Sequence, residues 1–304
     1  MPLLKVEAEK LSNNDLLRGV IEEVIDREDL FAIMPFAKTE GKAYVYNREN
    51  GVVEAEFLDP NDTVSEGAAT FTEVMTKVRI LAHDVDIDKF LAQTMDDTND
   101  QVAIQLAAKA KGLARKYRKT LVLGDNSTNT KEFDGIGVLC AALGTGQNIE
   151  AGANGAALTL SMLDELLDAI PNGADVLMMR PGTIRAYRAL LRTAGGIGPV
   201  EIMMENFGRP MLTHNGVPII ENEFIPGDVD QGTSIGNTCS IYAMRLNETD
   251  GLHGLYAGPN AGMVVEPIGT VQNKDAWRYR VKWYAGLALK STRSLARLYG
   301  ITNV

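Results

Sequence analysis

Apolar side chains recur every three or four residues between Asp97 and Leu123, which is the spacing of one face of an α-helix. The residues of this stripe are Val102, Leu106, Ala110, Leu113, Tyr117 and Leu121. The pattern predicts one amphipathic helix, roughly 36–39 Å long, capped within residues 98–100 and stopped by Gly124. Gly112 in its middle indicates a bend, a close approach of another backbone, or a tolerated surface glycine.

Residues 1–41 read as a leading arm. Apolar positions at helical spacing predict one short helix over residues 16–25, and an apolar patch follows at residues 30–36. Because apolar patches of this kind are normally covered, we expect the arm to pack on its own domain or on a neighbour.

The pattern changes to alternation after the arm, which is typical of β-strands. Alternating segments cover Ala43–Tyr46, Val52–Phe57 and Phe71–Leu81, and a polar, turn-forming stretch separates the last two. The pattern predicts a long β-hairpin over 42–80. A two-stranded ribbon with few large apolar residues near its tip is marginal in water, so we expect it to project and to be stabilised by another subunit.

The middle third mixes both periodicities and predicts an α+β module around a small sheet. Its predicted elements are a strand at Phe133–Leu139, a glycine-rich loop at Gly144–Gly155, a helix at Thr159–Ile170, a strand at Ala174–Met179, a helix at Thr183–Arg192, and strands at Val217–Ile220 and Ser240–Met244.

The end of the chain predicts two long strands, Met263–Val271 and Ala276–Tyr284. The second alternates aromatic or apolar residues with basic ones, so one face should be aromatic and the other cationic. A mixed segment from Leu287 to Leu298 follows.

Composition bounds the class of protein. The 304 residues carry a net charge of −10, which argues against a dedicated nucleic-acid reader. Only Cys140 and Cys239 occur, without a CxxC motif, so we expect neither a disulfide framework nor a zinc site, and a reducing site of synthesis. The sequence shows no signal peptide and no apolar run of membrane-spanning length.

Candidate chemical motifs fail when their context is read. The alternating acids of Asp84–Asp88 resemble a calcium loop, but Lys89 stands at the glycine position, so a strand with one polar face is favoured. Gly232–Gly236 fits GxSxG, yet a strand follows it instead of a helix. The three histidines, His83, His214 and His253, are isolated in sequence. We therefore expect no catalytic, cofactor-binding or metal-binding residues, and no enzyme activity.

Short motifs in a fixed order carry a resemblance to a known family. They are Leu123-Gly124-Asp125 followed by Phe133-Asp134-Gly135-Ile136, then Met179-Arg180-Pro181-Gly182-Thr183, Asn215-Gly216-Val217-Pro218-Ile219-Ile220 and Arg280-Val281-Lys282-Trp283-Tyr284. Together with the order of elements, they make the chain similar to the tailed-bacteriophage major capsid proteins with the Hong Kong 97-type fold.

The resemblance implies an α+β capsid fold with four parts. These are an N-terminal arm (1–41), an extended hairpin loop (42–80), a peripheral domain holding a long spine helix (81–134 and 258–286), and an axial domain (135–257 and 287–304). No lysine occurs between Gly51 and Thr76, so covalent crosslinking through the loop is not expected. The hairpin begins too early for an N-terminal scaffolding segment, and the initial Met1 favours a separate scaffolding protein.

The implied function is structural. The subunit is expected to assemble with itself into hexamers and pentamers of an icosahedral phage head, a virion capsid built in the host cytoplasm around double-stranded DNA, with a portal and a separate scaffold as partners and no membrane. The alternatives are an encapsulin-type nanocompartment shell and an enzyme built on the middle module. The basic end of the long helix could pair with the acidic first hundred residues of a neighbour or face packaged DNA.

Overall fold

The structure is a computed structural model. It describes residues 30, 33–41, 43–51, 55–60, 62–64, 66–94, 101–193, 201–203, 210–258 and 262–303. The short helix expected over residues 16–25 and the expected cap at 98–100 lie outside these ranges. Within them, no helix combines the length and the apolarity needed to cross a membrane.

The α-helices with described bounds are α1 (Lys89–Thr94), α2 (Gln101–Leu123), α3 (Ile136–Ala141), α4 (Leu160–Asp168) and α5 (Pro181–Thr193). The strands are β1 (Phe36–Lys38), β2 (Ala43–Gly51), β3 (Thr70–Lys77), β4 (Arg79–Asp88), β5 (Asn148–Glu150), β6 (Val176–Met179), β7 (Glu201–Met203), β8 (Pro210–His214), β9 (Val217–Glu221), β10 (Val229–Gln231), β11 (Ser234–Met244), β12 (Leu252–Tyr256), β13 (Val264–Thr270), β14 (Ala276–Leu289) and β15 (Leu295–Ile301). A 3₁₀ turn at Thr292–Ser294 joins the last two strands.

Strand β14 is the centre of a five-stranded sheet. Strand β4 pairs with it antiparallel along one edge, from Ala276 opposite Asp88 to Ala285 opposite Arg79. Strands β13 and β12 pair with its other edge in succession. Strand β1 extends the sheet by parallel pairing with β12. The two long strands expected near the end of the chain, β13 and β14, are thus neighbours in this sheet. The strand expected at Asp84–Asp88 is part of β4, on the other edge of β14.

An eight-stranded mixed sheet has the order β5-β15-β11-β6-β9-β8-β7, with β10 paired to β11. The sequence predicts β6, β9, α4 and α5 with small differences at their ends. Thr159 caps α4 through its side chain, which accepts a hydrogen bond from the Met162 N–H at 3.3 Å. The sequence does not predict the last strand: the expected mixed segment 287–298 instead supplies the end of β14 and most of β15, which lies between β5 and β11 in this sheet.

The eight-stranded sheet lies between two apolar layers. Along β6, Val176 and Met178 belong to the cluster shared with the five-stranded sheet and α2, whereas Leu177 and Met179 belong to the cluster shared with α4 and α5. All four residues are buried. Because successive side chains of a strand point to opposite faces, this strand must be apolar throughout.

The long helix α2 begins at Gln101 in the described residues and ends at Leu123. Of the predicted stripe, Leu113, Tyr117 and Leu121 are buried, and the three residues nearer the N-terminus are half-buried. Tyr117 packs on Trp283 of β14, with ring centroids 4.5 Å apart. The helix is therefore confirmed as a core element that lies along the five-stranded sheet.

The predicted strand at Phe133–Leu139 is wrong, because the structure forms the short helix α3 there. The segment contacts the residue that follows α2, and both contacting residues are glycines. The Gly135 N–H donates to the Gly124 carbonyl at 2.8 Å. A Cβ on Gly124 would lie 2.3 Å from the Phe133 carbonyl oxygen. This close backbone contact directs Ile136 and Cys140 into the core as one helical face, which short alternation does not distinguish from a strand.

Candidate assembly surface

The predicted hairpin is formed by β2 and β3, which pair antiparallel from Ala43 opposite Lys77 to Gly51 opposite Thr70. The middle alternating segment is not a strand where it is described, from Ala55 to Phe57. The stem of the hairpin packs on its own chain through every second residue of β2. The inward positions are Tyr44, Tyr46 and Arg48.

Arg48 and Tyr46 attach the stem to the end of β14. The Arg48 guanidinium donates from Nε to the Lys290 carbonyl at 2.8 Å and from a terminal nitrogen to the Leu289 carbonyl at 2.7 Å. The Tyr46 hydroxyl donates to the same Leu289 carbonyl. Burial raises the pKa of Tyr46, so the hydroxyl stays protonated as a donor. These bonds set the direction in which the hairpin leaves the sheet.

The opposite face and the tip of the hairpin are exposed although they carry large apolar side chains. The exposed apolar residues are Val45, Phe57, Leu58, Val64, Phe71 and Met75. Phe57 is fully exposed at 107%. Apolar surface concentrated on one projecting element marks an interaction site more than a stable free surface.

The cationic face predicted for β14 is confirmed, and acids of the flanking strands neutralise it. Arg278 holds Asp86 with two bonds of 2.6 and 2.7 Å, and Arg280 holds Asp84 with two bonds of 2.7 and 2.8 Å. Lys282 pairs with Glu266 of β13 at 2.5 Å. Hydrogen bonds from Arg280 and Arg278 lower the pKa of Asp84 and Asp86, respectively. Two of the three alternating acids of β4 thus bind guanidinium groups, and the third, Asp88, accepts from the Phe90 N–H at 2.8 Å.

The GxSxG pattern lies at a hairpin turn. Ser234 opens strand β11, which thus begins six residues before the strand expected at Ser240–Met244. The Ser234 hydroxyl donates to the Asn154 carbonyl at 2.6 Å. Gly232 has a positive φ of 56° and packs so closely on Ala153 that a Cβ would lie 2.2 Å from its carbonyl oxygen. The glycines therefore serve the turn and its packing.

The three histidines lie in different places. His83 is exposed and its Nε2 is 3.3 Å from Lys109 Nζ. His214 lies between Tyr187 (3.1 Å) and Asp164 (3.0 Å), a chain that fixes the β8–β9 turn against α4 and α5. His253 is fully buried beneath the hairpin stem, with its ring edge-on to Tyr44, and burial lowers its pKa.

Two basic residues of α2 form ion pairs inside the chain. Arg115 pairs with Glu223 at 2.8 Å, and Lys116 pairs with Glu132 at 2.7 Å. Lys119 is exposed.

Among the described residues, no group of three or more histidine, cysteine, aspartate or glutamate side chains is arranged to hold a metal ion. Both cysteines are buried, and burial raises the pKa of the Cys140 thiol to about 12.

No family model matches the chain, and no curated protein sequence matches it. Solved structures do. The holo-SrpI encapsulin of Synechococcus elongatus PCC 7942 aligns with a TM-score of 0.75 at 20% identity, covering 99% of this chain and 97% of that one. The capsid of an empty GTA particle aligns with a TM-score of 0.68 at 15% identity, covering 95% and 94%.

A chain described as Microbacterium phage Oxtober96 aligns with a TM-score of 0.66 at 12% identity, covering 97% of this chain and 98% of that one. At these identities the likeness concerns the fold, and it extends over nearly the whole of each chain. The resemblance read from the sequence is confirmed at that level: the protein has the mixed α+β, Hong Kong 97-type fold of capsid and encapsulin shell subunits.

Proposed function

We propose that this protein is the major capsid subunit of a tailed phage, and that it self-assembles through hexamers and pentamers into an icosahedral head around double-stranded DNA. The observation that carries the proposal is the alignment with shell subunits over 95–99% of the chain. Phage and GTA particles supply most of the similar structures. In this proposal the protein acts through contacts between copies and performs no chemistry.

The proposed parts follow the resemblance. Residues 1–41 form an arm, 42–80 an extended loop, 81–134 with 258–286 a peripheral domain around the spine helix α2, and 135–257 with 287–304 an axial domain. The pairing of β4 with β14 along ten residue pairs supports the grouping of 81–134 with 258–286. A portal and a separate scaffolding protein are the further proposed partners, in a virion assembled in the host cytoplasm.

The hairpin supports a role in assembly because the single chain covers only one of its faces. Its stem is hydrogen-bonded to the end of β14, whereas its outer face and tip present apolar side chains to solvent. In a closed lattice each copy can cover the hairpin of another, and the same contact recurs in every subunit.

Deletion of residues 50–73 tests the role of the hairpin. We expect a folded, soluble subunit that forms no shells, because the buried core lies outside this segment. Negative-stain microscopy and sedimentation measure assembly, and far-ultraviolet circular dichroism checks the fold. Shells of normal size from the deletion variant would reject the assembly role.

An encapsulin-type compartment is the second candidate, favoured by the TM-score of 0.75 to an encapsulin. The two functions differ in what the shell encloses. Genes for a portal and a terminase beside the coding sequence, together with nuclease-resistant DNA in native particles, support the phage head. A neighbouring cargo-enzyme gene and DNA-free particles that contain that enzyme support the compartment.

A further inference from the structure

A groove runs between the long helix α2 and strand β4, close to the base of the hairpin. Its volume is about 330 Å³, larger than the roughly 150 Å³ cavity that accepts a benzene ring in a well-studied protein. Leu81, Leu113 and Phe133 supply apolar wall, and further residues of the loop 129–133 also line the groove. The groove can therefore accept an aromatic side chain.

Gly112 opens the wall of this groove on the helix side. A Cβ built at this position would meet no atom within 4 Å, so no other backbone in the described part of the chain approaches the glycine. Glycine in an exposed helix interior costs up to about 1 kcal/mol relative to alanine. The helix thus carries no side chain at a position that lines the groove beside Leu113 and Lys116.

The rim of the groove is positively charged. Arg79 donates to the Glu132 carbonyl at 3.1 Å and to the Asn126 side-chain oxygen, which are neutral acceptors. The Glu132 carboxylate also lines the groove, where it pairs with Lys116 at 2.7 Å. Lys131 is exposed and has no carboxylate partner among the described residues. His83 and Lys109 extend the rim along β4 and α2. An acidic partner would gain from binding here.

The tip of the hairpin has the complementary chemistry. Residues 49–76 contain seven acids and no lysine or arginine. Phe57 lies between Glu56 and the turn at Asp59–Asp62, where the Asp62 N–H donates to the Asp59 carbonyl at 3.1 Å and the Asp62 carboxylate accepts from the Asp59 N–H at 2.8 Å. The fully exposed Phe57 ring thus lies next to this turn and is flanked in sequence by acidic residues.

The hairpin tip does not occupy the groove of its own chain, because the Phe57 ring is fully exposed. Strand β3 has eight residues, which at about 3.4 Å per residue separate the far end of the paired ribbon from its base by roughly 27 Å. The groove starts at that base, at Arg79 and Ile80. A second copy of the chain can supply the tip that matches this groove.

We propose that the Phe57 ring of one subunit inserts into the α2–β4 groove of a second copy, beside Gly112, while the acids around it face Arg79 and Lys131. The proposal rests on the proposed function for the existence of a shell, and it adds the surface that receives the hairpin. Interface hot spots are typically side chains that fill a desolvated pocket, and complementary charges around them favour the correct partner.

An engineered cysteine pair tests the contact in the full-length chain. In the Phe57→Cys/Gly112→Cys double variant we expect disulfide-linked multimers on non-reducing gels after assembly under mild oxidation. Each single variant should stay monomeric on the gel, because Cys140 and Cys239 are buried. Shells of the double variant in normal yield without crosslinks would overturn the inference and leave the proposed function intact. Failure of the wild-type chain to form shells under any condition would count against the proposed function itself.

A charge exchange provides a second, independent test. We expect Lys131→Glu to lower shell yield at low salt by at least about tenfold, and the added substitution Asp59→Lys to restore it. Lys119→Glu is the matched control, since Lys119 is also an exposed lysine but does not line the groove. Equal losses for Lys131→Glu and Lys119→Glu, without rescue by Asp59→Lys, would reject the contact.

Discussion

The two sheets of this molecule are held together in different ways. In the eight-stranded sheet, β6 is buried on both faces and carries no polar side chain. In the five-stranded sheet, β14 is apolar on one face, while Arg278 and Arg280 on the other face bind acids of β4. At β6, both faces of the first sheet are covered by apolar layers of the same chain. The second keeps a hydrated charged face next to the hairpin and groove, the surfaces that we assign to contacts between copies.

The largest expected effect comes from the sheet that is buried on both faces. Ile241 in β11 is fully buried, so Ile241→Ala removes apolar contacts and leaves a cavity. We expect the free energy of unfolding to fall by about 2–5 kcal/mol. Urea denaturation of the unassembled subunit measures it.

Ile80→Ala is the matched control, because Ile80 is 72% exposed on the other sheet. Its effect on the subunit should stay within about 0.5 kcal/mol. Similar losses for both variants would contradict the contrast between the two sheets.

The charged face should be sensitive to acid. Arginine bonds lower the pKa of Asp84 and Asp86 below the ordinary value of 3.8 in the folded chain. Their stabilisation is therefore complete above that value and is lost as the pH falls through the lower folded pKa. Asp84→Asn/Asp86→Asn should cost about 2 kcal/mol in total near pH 7, with a flatter stability curve below about pH 4. Thermal unfolding between about pH 2 and 7 measures both, and parallel curves for variant and wild type would refute the assignment.

A smaller pH effect is expected where the hairpin stem meets the five-stranded sheet. Burial, followed by nearby Lys290, lowers the pKa of His253 below 6.5 in the folded chain. The unfolded chain therefore binds a proton first as the pH falls, and stability decreases below about pH 6.5. We expect a loss of at most about 1.4 kcal/mol at pH 5.5.

The variant His253→Gln isolates this contribution, because glutamine does not titrate. Its free energy of unfolding should vary less between about pH 7.5 and 5.5 than that of the wild type. An identical slope in both proteins would show that His253 is not the group responsible.

The smallest expected effect is a gain. Gly112→Ala adds a methyl group that meets no atom within 4 Å, so the subunit should become more stable by up to about 1 kcal/mol. Chemical denaturation of the unassembled subunit measures it. A loss of stability would instead support the bend that the sequence leaves open at this glycine.

Elements with long, regular patterns could be predicted from the sequence, whereas elements defined by distant partners could not. The stripe of α2 and the alternation of β14 extend over many residues, so tertiary contacts only confirm them. Helix α3 was read as a strand because its six residues are too few to separate the two periods. Strand β15 was missed because only its partners β11 and β5 turn that segment into a sheet strand.

The assembly surface was predicted in part. Alternation gave the hairpin and the cationic face of β14, but nothing in the sequence places Arg48 next to Leu289, more than two hundred residues away. Likewise, the sequence leaves the basic end of α2 open to neighbours, whereas the fold pairs Arg115 with Glu223 and Lys116 with Glu132. Charge along a sequence shows which residues can form pairs, and only the fold shows which pairs form.

The attachment of the hairpin stem has a consequence for redesign. Tyr46 and Arg48 bind main-chain carbonyl oxygens of residues 289 and 290, which every amino acid provides. The attachment therefore does not depend on the side-chain chemistry at those two positions, although Leu289 is itself buried in the core and the Lys290 ammonium lies over the Tyr44 ring. The segment beyond Arg48 takes no part in these bonds. Loops of other lengths could therefore be grafted between Glu49 and Phe71 while the stem keeps its attachment to the end of β14.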